Sequence, residues 1–98
     1  MAVFMIDFDL IREGENYWEK NALFHRRVKQ AFPTWWKHLD STFLVETSWN
    51  ALQVRDYLLP VLDDNDKLLV AKLSGEAAWS GISETGSDWL RRTLGAQV

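Results

Sequence analysis

The sequence predicts an α+β fold of one domain, with helices packed on one face of a four-stranded antiparallel sheet. Three observations carry this expectation. A two-residue alternation opens the chain, and two later segments have helical spacing. The order of elements reads strand, helix, strand, strand, helix, strand, followed by a C-terminal appendage. The 98 residues suffice for one small core and leave no room for a second.

In the first strand Phe4, Ile6, Phe8 and Leu10 point one way, and Val3, Met5, Asp7 and Asp9 the other. Both faces begin apolar, the pattern of a central strand covered on each side, and the second face turns acidic toward its end. Residues 12–16 read as a loop, with Asn16 as a helix cap and Glu19 completing a capping box. The helix that follows carries Tyr17, Phe24, Val28 and Ala31 on one stripe with Leu23 beside them, and Pro33 closes it. Residues 35–39 and 42–47 read as strands joined by a tight turn at Asp40-Ser41, which sends the adjacent Trp35 and Trp36 to opposite faces.

Ser48 or Asn50 caps a second helix whose buried stripe is Ala51, Val54, Leu58 and Val61/Leu62, and Pro60 distorts or ends its last turn. Asp63-Asp64-Asn65-Asp66 lacks the spacing and glycine of a calcium loop and reads as a solvated turn. The segment 67–73 is the fourth strand, stopped by Ser74-Gly75. Residues 76–98 are read as an appendage of an edge strand and a short helix. Gly81 and Gly86 mark irregular backbone there, and a helix over 87–94 ends at Gly95. The element order is the split β-α-β unit repeated, a ferredoxin-like β-α-β-β-α-β sandwich with a C-terminal extension.

A hydrophobic fraction of 47% with 26% charged residues excludes a disordered chain. No apolar run approaches the length of a membrane span, and the opening residues lack the basic and small-residue pattern of a signal peptide. The absence of cysteine excludes disulfides and thiolate metal sites, so a cytoplasmic setting is expected. Six tryptophans are more than a thin two-layer core hides, and the second sheet face would be open in a monomer. Both point to a homodimer, sheet against sheet, through Val3, Met5, Trp36 and Trp79.

At Phe8-Asp9-Leu10 the chain resembles the aromatic-Asp-aliphatic signature of the CRISPR-associated adaptation nuclease-like family of small ferredoxin-like homodimers. It is similar to SinR-like bacterial relatives of that family at residues 35–45, 51–62 and 64–70, at Gly75, at Ala78-Trp79-Ser80-Gly81 and at Asp88-Trp89-Leu90. The resemblance implies a divalent-metal site built from two copies of Asp9 near a dimer two-fold, with Asp7 assisting.

The residues themselves place Asp7 and Asp9 on one strand face, about 6.5–7 Å apart. Carboxylates so placed are candidate ligands for Mg²⁺ or Mn²⁺ in phosphodiester cleavage. Lys20, Arg26, Arg27 and Lys29, beside His25, form the best basic cluster for a DNA or RNA backbone, although a net charge of −3 counts against a nucleic-acid partner. His38 is expected to be a packed residue, and His25 a surface one.

The leading functional expectation is a homodimeric nucleic-acid-associated structural or adaptor protein. The alternatives are a metal-dependent endonuclease using Asp9 from both subunits, with Asp7, and a protein-interaction module without nucleic acid.

Overall fold

Alternation in the opening segment builds the centre of the sheet. The structure, a computed structural model, describes residues 1–11 and 17–94. Strand β1 (Ala2–Asp9) is followed by helix α1 (Tyr17–Ala31), β2 (Thr34–Leu39), β3 (Thr42–Thr47), α2 (Ala51–Leu58) with a single 3₁₀ turn at Leu59–Val61, β4 (Lys67–Leu73) and α3 (Glu84–Leu94). The sheet order is β2-β3-β1-β4, and every neighbouring pair is antiparallel. This is the expected β-α-β-β-α-β sandwich with an added C-terminal helix. The expected loop at 12–16, its Asn16–Glu19 capping box and the Gly95 stop lie outside the described residues.

One face of the sheet holds the larger core. Phe4, Ile6 and Phe8 of β1 and Phe43 and Val45 of β3 meet Phe24 and Val28 of α1 and Val54 and Leu58 of α2, all buried. The α2 start is set by Asn50, whose side chain accepts from the Gln53 amide while Gln53 accepts from the Asn50 amide. Pro60 sits in the 3₁₀ turn that ends the helix, as its missing N–H requires. Arg27 and Tyr57 lock α1 to α2. Arg27 Nε donates to Tyr57 O at 2.6 Å, its guanidinium lies 4.1 Å from the ring centre, and Tyr57 Oη returns a bond to Arg27 O.

The opposite face carries a second core. Side chains line up across the four strands in rows: Thr34–Glu46–Val3–Leu73, then Trp36–Leu44–Met5–Ala71, then Leu39–Thr42–Asp7–Leu69. Helix α3 lies over the first two rows, where Val3, Trp36 and Leu44 pack against Trp89 and Leu90, with Trp79, Ile82 and Leu94 around them. The appendage therefore contributes a helix and, among the described residues, no fifth strand; the expected edge strand is corrected to irregular backbone leading into α3.

Gly86, expected to break regular backbone, lies inside α3 because that helix presses onto β2. A Cβ at Gly86 would stand 2.8 Å from both His38 Nε2 and Ile82 Cγ2. The Gly86 carbonyl accepts from Trp36 Nε1 at 3.0 Å, and Ser87 Oγ accepts from Trp79 Nε1 at 3.1 Å. Both bonds satisfy an indole N–H at the helix–sheet contact. Gly81 keeps the irregular role foreseen for it, with φ +77° in the connection before α3.

Candidate functional site

The half of the second face that α3 leaves open holds two of the candidate residues, Asp7 and Asp9, with Met5 and Trp79 at its border. It consists of the Leu39–Thr42–Asp7–Leu69 row and, beyond it, Asp9 opposite Lys67. Leu39 is 50% exposed and Leu69 56% exposed, at the two ends of the row. Between them Asp7 is half-buried and accepts from Thr42 Oγ1 at 3.2 Å. A cleft of about 330 Å³ runs from this row under the edge of α3, lined by Met5, Leu39, Trp79, Ile82, Leu90 and Leu94 among others.

The four residues expected at a sheet-to-sheet interface part company here. Val3 and Trp36 are buried under the chain's own α3, while Met5 and Trp79 remain partly open along the cleft. Two sheets cannot stack through Val3 and Trp36 while α3 stays in place. The sequence reading leaves this face to a partner chain, whereas the chain's own α3 covers much of it. The signal was present in the spacing of Gly86, Trp89, Leu90 and Leu94, which puts small and apolar residues on one helical stripe opposite Asp88, Arg91 and Arg92.

Asp7 and Asp9 share a face as expected, but the metal expectation is overturned. Among the described residues no group of three or more His, Asp or Glu side chains comes close enough to hold a metal ion. Two carboxylates make a poor cation site, and here Lys67 stands directly opposite Asp9. Mg²⁺ or Mn²⁺ therefore has no set of ligands among the described residues.

The basic cluster is also dispersed by its own chain. Lys20 bonds to Asp63 at 2.9 Å and Asp66 at 3.0 Å, and the bond to Asp63 raises its pKa above the ordinary amine value. Arg27 is clamped to Tyr57, and the Lys29 ammonium lies 4.7 Å from the centre of the Trp35 ring. Arg26 projects to solvent. Of the adjacent Arg91 and Arg92 on α3, Arg91 is bonded to Asp88 at 2.8 Å. Phosphate recognition would have to compete with these internal partners.

Two polar residues have roles that the pattern did not disclose. The 63–66 turn is less solvated than expected, because the Asp66 carboxylate is fully covered and accepts from the Ile11 amide, the Asp63 amide and Lys20. Burial opposes its ionisation, but these bonds outweigh burial and hold it below the ordinary carboxylate range. His25 is half-buried rather than a surface residue, with Phe8 and Phe43 edge-on to its ring. Its Nδ1 lies 2.7 Å from Asn21 O, an acceptor, so this nitrogen carries the proton. Desolvation, helped by Lys37 and Lys29, lowers its pKa despite that bond. His38 is exposed and rests against Trp36. Neither imidazole touches Asp7 or Asp9 in any bond or ring contact of the described residues.

Comparison with protein-family models, with curated proteins and with solved structures gives no match. Among the described residues no helix is long and apolar enough to cross a membrane.

Proposed function

We propose that this chain is a non-catalytic self-associating module, a small protein whose work is to join copies of itself. One observation carries the reading: the Leu39–Thr42–Asp7–Leu69 row stays uncovered with a half-exposed leucine at each end, although α3 packs over Val3, Trp36 and Leu44 of the same face. Exposed leucines on a sheet are ordinary one at a time, but two on one row beside an open apolar cleft mark a surface that a partner covers. The resemblance of Phe8-Asp9-Leu10 to a family of homodimers points the same way. The nucleic-acid alternative has less support, since Lys20, Arg27 and Lys29 are each engaged within the chain and the net charge is −3.

Sedimentation equilibrium over a micromolar range tests this reading, with a labelled single strand and a duplex as parallel probes at low salt. The expected mass is twice the 11.4 kDa of the chain, with no change in nucleic-acid anisotropy. A monomer that binds either strand, and loses it with added salt and with Arg26→Glu plus Lys29→Glu, replaces this reading with the nucleic-acid adaptor.

A further inference from the structure

The two edges of the sheet are not alike. On β2 the register shifts between Trp36 and Leu39, and Lys37 Nζ donates to the carbonyls of Leu39 and Asp40 at the end of that strand. A bulged strand with a cation over its terminal carbonyls is a protected edge. On β4 the ladder to β1 is unbroken over seven residues, from Val3↔Leu73 to Asp9↔Lys67, and among the described residues no strand lies on its other side. Beside it runs a groove lined by Leu52 and Arg55 of α2 with Leu68 and Val70 of β4. Leu52 and Leu69, each 56% exposed, flank the strand on its two sides.

We propose that β4 pairs antiparallel with β4 of a second copy, with Val70 on the two-fold axis, so that the dimer is one eight-stranded sheet. This rests on the self-association reading and adds an element and register for it, which engage the Leu69 end of the open row and leave Leu39 at the surface. The register follows from parity and length. Residues directly opposite in an antiparallel pair share a sheet face, so only pairings of like parity are allowed. Among these, centring on Val70 alone pairs the whole Lys67–Leu73 strand with itself.

It sets Leu69 against Ala71 of the partner and Leu68 against Lys72 of the partner, and it places Lys67 opposite Leu73. The two lysines then act as register guards. Lys67 would meet its own copy, or Lys72 its own copy, only in pairings slid three or two residues from Val70, where like charges oppose. Lys67 opposite Lys72 is excluded by parity. The groove along α2 gives the helix-side residues of the second strand a place to pack, and each exposed Leu69 gains a neighbour. The open half-faces of the two copies become continuous across the new junction.

The chain has no cysteine, so single cysteines report the geometry directly. In the proposed dimer the two copies of residue 69 are diagonal neighbours, about 7–8 Å apart. The two copies of residue 39 lie at opposite ends of eight strands, about 33 Å apart at about 4.8 Å per strand. A short bis-maleimide is expected to join Leu69→Cys and to leave Leu39→Cys unjoined. Leu69→Lys with Ala71→Lys sets like charges opposite each other and is expected to weaken dimerisation at least tenfold, whereas Leu69→Lys with Ala71→Asp restores it. Circular dichroism confirms that each variant is folded.

A dimer that joins through Leu39→Cys and not through Leu69→Cys overturns the edge pairing and leaves self-association standing. A chain that stays monomeric at about 100 µM overturns both and leaves the β4 edge to an extended segment of a different protein.

Discussion

At Asp66 one carboxylate holds three chain segments. It accepts from the Ile11 amide at the end of the first strand, from the Asp63 amide of its own turn, and from Lys20 of α1. Asp66→Ala strands two amides and takes one of its acceptors from Lys20, which keeps Asp63, and we expect a loss of about 2–3 kcal/mol in urea denaturation. Because bonding holds the folded Asp66 carboxyl low, its contribution is complete above the ordinary carboxylate range near pH 4 and disappears as pH falls through the folded value. His25 acts with the same sign in a different window. Its folded pKa is depressed by desolvation, with Lys37 and Lys29 assisting, so the unfolded chain takes up the proton first. Stability is therefore expected to decline as pH drops from about 6.5 toward the folded value, and the decline should vanish in His25→Leu while the one below pH 4 remains. Denaturation midpoints at half-unit pH steps separate the two. Neither role was legible in the sequence, because Asp66 sits in a run of acids typical of a solvated turn and His25 on a helix rich in cations. What distinguishes them is a set of contacts from distant segments, which local pattern does not encode.

Among the elements, α3 departs most from what the sequence suggested, and the reason is instructive. Strands β1, β3 and β4 and the first two helices announce themselves through alternation and 3.6-residue spacing, since each has one face against the main core. The third helix starts at Glu84, ahead of the expected start at 87, and takes in Gly86, which lowers helix propensity and reads as irregular backbone, next to Ser87. Both are buried because the helix must approach β2 closely, and their small size makes room for His38 and for the Trp36 and Trp79 hydrogen bonds. Tertiary packing has overridden local preference. Gly86→Ala tests this: the gain in helix propensity is set against a methyl 2.8 Å from the His38 ring. We expect net destabilisation in the native background and relief in His38→Ala, with a coupling of about 1 kcal/mol in a double-mutant cycle. Additive effects would mean that His38 simply turns into solvent and that the helix position does not depend on this contact.

For the whole molecule, the sheet-centred topology was readable from element order, whereas the fate of the second face was not. A strand apolar on both sides predicts that both faces are covered, but it is silent on whether the cover comes from the same chain. Here α3 takes two rows and leaves one, so Val3 and Trp36 serve the monomer while Leu39 and Leu69 stay at the surface. Asp7 and Asp9 share the uncovered region with no third ligand among the described residues, so millimolar Mg²⁺ and Asp9→Asn should each shift stability by less than about 0.5 kcal/mol, as read by thermal denaturation. Self-association makes a further demand on stability itself. If folded chains pair and unfolded chains do not, dilution lowers the melting temperature by mass action. Above the dissociation constant, each tenfold rise in concentration adds about 1.4 kcal/mol per dimer, or about 0.7 per chain. For a domain of this size that corresponds to roughly 3–5 °C. Calorimetry of the native chain from about 5 to 500 µM should show that slope, and the like-charged Leu69→Lys, Ala71→Lys chain should show a flat line. A flat line for both would mean that the exposed leucines stabilise no assembly of this chain, and the surface would then have to be matched to a different partner.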